Sequence, residues 1–266
     1  VLTRQTLEAI GTLTAVAIER ARAVEQLGQT EAAREGERLR TALLDSVTHA
    51  LRTPLTSIKA SVTNLLSNPN VSEKQRAELL TIVNEETDRL NRLVGEAGEM
   101  ARLDAGEVEL NLAPNSIGDV VHAALEQTAT LLGAREVRIK IPENLPNVSV
   151  DLKRVTDALV QLIDNAHRYS PADQPITITA ETAGDFVVTS VADRGAGIDE
   201  QEQALIFEKF YRGKDQRFLV QGTGMGLPIA KAIIEAHRGT ISLTSQRGHG
   251  SVFSFTVPID RGKAGA

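Results

Sequence analysis

The sequence predicts a mainly helical part, built as a helical hairpin, followed by an α+β sandwich. Between residues 2 and 104, apolar side chains recur at spacings of three and four, the period of an amphipathic helix. Beyond residue 114, strand and helix patterns are interspersed without strict βαβ alternation, which is typical of an α+β domain. Aromatic residues make up 3% of the chain and cysteine is absent, so we expect aliphatic cores and exclude disulfides and thiolate metal sites.

The helical part falls into three segments. Residues 2–40 predict one long helix, either a coiled-coil lead-in or the last helix of a truncated upstream domain, and these two interpretations are compatible. Residues 39–65 continue an apolar stripe, and Ser72 with Gln75 predicts a capping box at the start of the next helix. Because a hairpin of two amphipathic helices cannot bury both stripes alone, we expect a homodimer that forms a four-helix bundle.

The second part contains three predicted helices and six predicted strands. Gly106 ends the hairpin, which places the boundary between the parts within residues 104–114. The sequence thus divides into residues 1–37, 38–106 and 114–260. The predicted helices cover residues 117–132, 151–168 and 228–237. The predicted strands cover residues 137–141, 148–150, 176–182, 186–193, 240–245 and 251–259.

Charge and hydropathy narrow the choice of partners. The formal net charge of −6 argues against nucleic acid as the main partner. No run of 18 apolar residues occurs, so no segment of this sequence is predicted to span or contact a membrane. The chain begins at Val1 rather than at Met, which suggests a fragment, and a full-length protein anchored in a membrane stays open.

Glycines are concentrated in three segments of the second part, "DRGAGI" (193–198), "QGTGMGL" (221–227) and "RGHGS" (247–251). Glycine lets backbone N–H groups approach a phosphate closely, and the start of a helix adds a partial positive charge. The predicted helix near Leu227 directly follows the second of these segments. Each segment alone is more often a simple turn, but their order and spacing together predict a phosphate-binding site.

Polar residues before and beside these glycines are of the types that bind a nucleotide and its metal ion. The stretch "LVQLIDNAHRYS" ends an amphipathic helix and contains Asn165, whose amide oxygen suits Mg²⁺ beside phosphates and water. Arg168 in the same stretch can neutralise phosphate. Asp193 can accept a hydrogen bond from an amine, such as the exocyclic amine of adenine.

Six motifs, taken in order, resemble those of the sensor histidine kinases of two-component systems. They are "THALRTPL" (H-box), "DNAHRYS" (N-box), "DRGAGI" (G1), "IFEKFYRG" (F-box), "GTGMGL" (G2) and "GHGS" (G3). The resemblance covers about residues 38–258. It implies a signalling helix over 1–37, a dimerisation and histidine phosphotransfer domain over 38–106, and a catalytic ATP-binding domain of the Bergerat (GHKL) type over 114–260.

The same resemblance implies ATP and Mg²⁺ as cofactors. Asn165 corresponds to the Mg²⁺ ligand, and Asp193 corresponds to the carboxylate that reads adenine. Arg168 stands where the family usually has lysine. The other nucleotide-binding positions that the resemblance implies are Tyr169, Gly195, Gly197, Gly222, Thr223, Gly224, Gly226, Leu227 and Ser251. Phe207 and Phe210 correspond to the anchor of a mobile lid that runs to about Gln221.

The implied reaction moves the γ-phosphoryl group of ATP to a ring nitrogen of His49 and then to an aspartate of a response-regulator receiver domain. The attacking nitrogen needs a free lone pair while the other ring nitrogen keeps its proton. Pro54 lacks the N–H that would bond the carbonyl of Ala50 one turn back. We therefore expect the helix to bend beside His49, with a tolerated kink in a packed bundle as the alternative.

Ala50 departs from the family pattern, which usually has Glu or Asp directly after the histidine to accept the other ring N–H. Because Ala50 cannot act as this base, we expect slow autophosphorylation. Asp45 lies four residues before His49 on the same helix face, where it either substitutes in part or is a solvated carboxylate. Thr53 corresponds to the position that orients a water for dephosphorylation of the partner, or it simply packs before Pro54.

Two other functions stay open at this point. ATPases of the same nucleotide fold, of the gyrase, mismatch-repair and heat-shock chaperone kinds, use a Glu one helical turn before the asparagine, where this chain has Gln161. A degenerate kinase that binds ATP and serves as a scaffold or phosphatase fits Ala50. In each case we expect this fragment to lie in the cytoplasm.

Overall fold

The computed structural model describes residue 48 and residues 50–68, 70–213 and 222–262. The residues from Thr53 onward belong to one structural unit. His49, Asp45 and the predicted helix over residues 2–40 lie outside the described residues, as does most of the predicted lid.

The described residues form six helices and seven strands. The helices are α1 (50–67), α2 (Glu73–Asp104), α3 (Ile117–Leu132), α4 (Leu152–Tyr169), α5 (Glu200–Gln203) and α6 (Gly226–Ala236). The strands are β1 (Ala113–Asn115), β2 (Val137–Lys140), β3 (Val148–Val150), β4 (Ile176–Ala183), β5 (Phe186–Ala192), β6 (Ile241–Gln246) and β7 (Gly250–Pro258).

The hairpin loop carries the predicted capping box. The Ser72 hydroxyl accepts a hydrogen bond from the N–H of Gln75 at 3.3 Å, and the Gln75 side chain accepts one from the N–H of Ser72 at 3.3 Å. Helix α1 continues through Pro54, whose side chain is buried, and the bend beside His49 stays a prediction. The two helices leave large apolar side chains exposed, namely Leu55, Val62, Leu66, Leu80, Ile82 and Val94.

A five-stranded sheet forms one layer of the second part, in the strand order β2-β4-β5-β7-β6. Strand β2 pairs with β4 in parallel, and the remaining pairs are antiparallel. The hairpin β4–β5 turns at Gly184, whose φ of +61° suits glycine. Strands β1 and β3 form a separate two-stranded antiparallel sheet that also touches the end of β7 through Val148 and Ile259.

Helices α3, α4 and α6 form the second layer, with α4 packed between the other two. The buried face of α4 repeats at three and four residues because Val155, Leu159, Leu162 and Ala166 all point into the core. Alternate residues of β7 face the same core, where Phe253 and Phe255 are fully buried. Two of the six phenylalanines thus fill the centre of an otherwise aliphatic core.

The predicted fold class, a helical part followed by an α+β sandwich, is confirmed. Beyond residue 114, the long predicted helices and strands lie within two residues of the observed ones, because strong apolar periodicity marks them. Strand β1 and helix α5 were not predicted, since three or four residues carry too little periodicity to be recognised. Each owes its geometry to neighbours: β1 pairs with β3, and α5 is capped by Asp199.

Candidate active site

A cavity of about 660 Å³ opens beside the C-terminal half of α4, the loop after β5 and the start of α6. The structure brings the predicted stretch "LVQLIDNAHRYS" and the three glycine segments together around this cavity. All predicted nucleotide-binding residues except Gly195 line the cavity: Asn165, Arg168, Tyr169, Asp193, Gly197, Gly222, Thr223, Gly224, Gly226, Leu227 and Ser251. Gly195 lies directly behind this lining, where its N–H holds Asp193.

Helix α4 carries the polar side chains of one wall. Asp151 caps its start by accepting the N–H of Arg154 at 3.1 Å. The amphipathic pattern then places Gln161, Asn165 and Arg168 on the face opposite to the core, toward the cavity. The Nε of Arg168 donates to both carboxylate oxygens of Asp164 at 2.7 Å, which holds the guanidinium at the cavity rim.

Asp193 directly follows β5 and is 6% exposed. Its Oδ1 accepts the N–H of Gly195 at 2.7 Å, which fixes the carboxylate at the inner end of the cavity. Burial raises the pKa of Asp193, while the N–H groups of Gly195 and Ser251 and the charge of Arg135 partly oppose that rise. The arrangement presents a buried acceptor of the kind that an exocyclic amine requires.

Two glycines near Asp193 lie so close to neighbouring backbone carbonyls that no side chain fits at their positions. A Cβ on Gly195 would lie 2.2 Å from the carbonyl oxygen of Tyr169. A Cβ on Gly250 would lie 2.2 Å from the carbonyl oxygen of Asp193, and the φ of Gly250 is +88°. The glycine spacing that predicted a phosphate loop therefore also serves to pack the loops against each other.

The segment before α6 forms the opposite wall. The N–H of Met225 donates to the Thr223 hydroxyl at 3.2 Å, and the carbonyl of Gly224 accepts the N–H of Phe210 at 2.9 Å. Phe207 packs edge-on against the core ring of Phe253, with the centroids 6.5 Å apart. Both predicted lid anchors are therefore tied to the core or to the glycine segment, while residues 214–221 lie outside the described residues.

The third wall was not predicted from the sequence. It consists of Arg89, Arg92 and Glu96 of helix α2, which line the same cavity. Burial raises the pKa of Glu96, and the nearby Thr223 hydroxyl partly opposes that rise. The periodicity of α2 predicted only a bundle helix, and no local signal distinguishes these three residues from solvated surface charges.

Apolar burial and ion pairs hold α2 against the cavity. Leu93 and Met100 of α2 are buried, at 4% and 7% exposure. Glu99 forms an ion pair with Arg154 at the start of α4, and Asp104 forms one with Lys209 before the lid. The contact is thus both apolar and charged, and it holds the α2 side chains in the wall of the cavity.

The donor set fits Mg²⁺ held mainly by a nucleotide. No group of three or more histidine, aspartate or glutamate side chains that could hold a metal ion occurs among the described residues. Asn165 lines the cavity beside Asp164 and Gln161, so amide and carboxylate oxygens are within it. Mg²⁺ commonly takes one or two protein oxygens and fills its remaining positions with phosphate and water, which these residues permit.

Two family models match the chain. The His Kinase A (phospho-acceptor) domain matches residues 39–106, and the histidine kinase-, DNA gyrase B- and HSP90-like ATPase matches residues 150–261. A phospho-acceptor domain followed by this nucleotide domain defines the core of a protein-histidine kinase. The chain belongs to the sensor histidine kinases of two-component systems.

Curated relatives agree with this assignment. The sensor protein KdpD of Escherichia coli is 32% identical over 256 residues, which are 95% of this chain and 28% of the relative. KdpD of Clostridium acetobutylicum is 30% identical over 249 residues, 92% of this chain and 27% of the relative. The sensor protein DivL of Caulobacter vibrioides is 32% identical over 226 residues, which are 84% of this chain and 29% of DivL. The chain therefore spans less than a third of the length of these relatives.

Solved structures share the fold. The full-length ShkA in complex with AMPPNP has a TM-score of 0.60 and 28% identity, over 86% of this chain and 47% of ShkA. The histidine kinase ThkA in complex with the response regulator TrrA has a TM-score of 0.68 and 23% identity, over 85% of this chain and 64% of ThkA.

No helix among the described residues is long and apolar enough to cross a bilayer.

Proposed function

We propose that this chain transfers the γ-phosphoryl group of ATP to His49 and then to an aspartate of a response-regulator receiver domain. The observation that carries the proposal is the single cavity in which Asn165, Asp193 and the start of α6 converge. Asp193 would accept the amine of adenine, and the N-terminus of α6 would face the phosphates. The AMPPNP held by the similar ShkA supports a nucleotide of this class.

The transfer itself requires in-line attack by the neutral imidazole of His49. The lone pair of one ring nitrogen forms the N–P bond while the bond from the γ-phosphorus to the bridging oxygen breaks, and ADP leaves with that electron pair. The proton on the other ring nitrogen is released to water, because Ala50 offers no carboxylate to receive it. We propose Asp45 as a partial substitute for that base.

Asn165 is proposed to hold Mg²⁺ through its amide oxygen. The ion would offset the negative charge of the phosphates when it is bound. Arg168, which is paired with Asp164, lines the cavity together with Arg89 and Arg92, and the positive charge of the three guanidinium groups would attract phosphate. These side chains bind and orient the nucleotide, whereas the nucleophile comes from the other domain.

Two observations bear on the rival functions. Gln161 lines the cavity where hydrolytic relatives of the fold use a glutamate, so the described residues supply no carboxylate base for water at that position. Ala50 favours a second candidate, a kinase with weak autophosphorylation that acts mainly as a phosphatase or scaffold. Thr53, exposed on α1, is the residue that we propose to orient the water for such a phosphatase.

The exposed apolar residues of α1 and α2 support the proposed homodimer, because a monomer leaves them in water. We propose residues 38–106 as the dimerisation and phosphotransfer domain and residues 114–260 as the ATP-binding domain. The proposed location is the cytoplasm, where ATP is available to this site.

The test is phosphorylation with ATP that carries a γ-phosphorus label. We expect acid-labile, base-stable label on the wild-type chain and none on His49→Ala. His122→Ala is the matched control and should label normally, because His122 is a surface histidine with a side chain that is 73% exposed. Free phosphate without protein label would instead indicate an ATPase, and neither product would indicate the scaffold.

A further inference from the structure

The side chain of Arg135 reaches from the loop between α3 and β2 to the last turn of α4. Its Nη1 donates to the carbonyl of His167 at 3.2 Å, to the Ser170 hydroxyl at 2.9 Å and, at 3.4 Å, to the carbonyl of Ala166. Its Nη2 donates to the carbonyls of Ser170 at 2.9 Å and Pro171 at 2.6 Å. One guanidinium therefore contacts four backbone carbonyls at and just after this helix end.

Helix α4 ends without a glycine cap. The chain leaves it at Ser170 in an extended conformation, with φ −116° and ψ 151°. The last carbonyls of a helix lack intrahelical partners and carry partial negative charge. The Ser170 hydroxyl donates to the carbonyl of Ala166 at 2.6 Å, and Arg135 adds a donor for the carbonyl of His167 together with a compensating positive charge, so Arg135 helps to fix the position of this turn.

The same turn supports the loop that carries the adenine-facing carboxylate. The α-carbon of Gly195 sits so close to the carbonyl of Tyr169 that an added Cβ would lie 2.2 Å from that oxygen. The N–H of Gly195 in turn holds the Asp193 carboxylate at 2.7 Å. A displacement of the α4 terminus is therefore passed through two direct contacts to Asp193.

We propose that Arg135 is a positioning residue for adenine recognition. It holds the last turn of α4, which seats Gly195 and thereby aims Asp193 at the base. Its charge also acts in the right sense on Asp193, because it opposes the rise in pKa that burial causes. The inference rests on the proposed binding of ATP in this cavity and adds to it a residue outside all six motifs.

The experiment measures Mg-ADP and Mg-GDP binding to the full chain by calorimetry. In Arg135→Gln we expect ADP affinity to fall by roughly 10-fold or more, with unchanged stoichiometry, by analogy with the loss of a side chain that orients a metal ligand. The preference for ADP over GDP should fall with it, because Asp193 reads the base. Arg135→Lys keeps the positive charge but lacks the branched guanidinium group. It should therefore recover part of the ADP affinity and part of the preference for ADP over GDP.

Arg138→Gln is the matched control and should bind both nucleotides as the wild type does. Arg138 lies three residues further along, is about half exposed and pairs with Glu136 at 2.8 Å. Wild-type affinity and base preference in Arg135→Gln would overturn the proposal, as would a loss of stoichiometry alone with normal affinity in the remaining folded fraction. If the Gln variant does not fold, wild-type affinity in Arg135→Lys overturns it. A wild-type chain that binds no ADP refutes the proposed nucleotide site itself.

Discussion

At the scale of single residues, Ala50 is the position that most directly limits the proposed reaction. We expect Ala50→Glu to raise the rate of autophosphorylation by at least about 10-fold, since a general base typically contributes 10²–10⁴-fold. The measurement is the initial rate of label incorporation at saturating ATP. Ala50→Gln has nearly the same shape without the charge and should stay close to the wild-type rate. Equal rates in all three chains would mean that the base lies elsewhere.

Single residues also show which contacts a local sequence pattern encodes and which it does not. Asn165, Asp193 and Thr223 were predicted because they belong to contiguous motifs, and the structure gathers them in one cavity. Arg135 belongs to no motif, and its partners lie more than 30 positions away along the chain. A contact of that kind depends on how α3, β2 and α4 pack, which local patterns do not encode.

At the scale of the element, α2 was predicted as a bundle helix but also forms a wall of the nucleotide cavity. Its apolar period predicted the helix and the pair Ser72 and Gln75 predicted its capping box, and the structure confirms both. The period cannot say which of the remaining faces meets solvent and which meets another domain. Glu96 is the clearest case, because its carboxylate lines the same cavity as Thr223 and lies close to it.

We expect Glu96→Gln to bind Mg-ADP more tightly than the wild type. The amide keeps a hydrogen-bonding group for Thr223 but removes a negative charge that repels phosphate, a gain of about 1 kcal/mol or roughly fivefold in affinity. Calorimetry with Mg-ADP and with adenosine separates the cause, because adenosine carries no phosphate and should bind equally to both chains.

Glu85→Gln is the control for this element, since Glu85 is an exposed residue of the same helix. It should leave both affinities unchanged. A tighter adenosine complex in Glu96→Gln would show that the substitution altered the shape of the cavity and not its charge.

At the scale of the whole molecule, His237 links the end of α6 to the start of α4. It is 2% exposed at the end of α6. Its Nδ1 lies 2.7 Å from the carbonyl of Ile233, and its Nε2 accepts the N–H of Asp151 at 3.1 Å, so the hydrogen bonds require a neutral ring with the proton on Nδ1. Burial lowers the pKa of His237, and therefore the folded chain takes up this proton less readily than the unfolded chain.

The free energy of unfolding should consequently fall as the pH drops below about 6.5, the ordinary histidine value, and should keep this contribution in full above it. Denaturant unfolding at pH 7.5 and at pH 5.5 measures the difference. His237→Gln should lose much of this pH dependence, at the cost of some stability at the higher pH. His122→Ala, which removes an exposed histidine, should retain it, and an unchanged pH dependence in His237→Gln would contradict the assignment.

The wall that α2 contributes to the cavity has a thermodynamic consequence. A ligand that contacts Arg89, Arg92 and Glu96 in this cavity binds with an affinity that depends on the position of α2. Linkage makes the dependence reciprocal: any upstream event that shifts this helix changes nucleotide affinity, and nucleotide occupancy biases the helix by the same free energy. The position of α2 and the binding of nucleotide would then be coupled directly through this one helix, with no intermediate element between them.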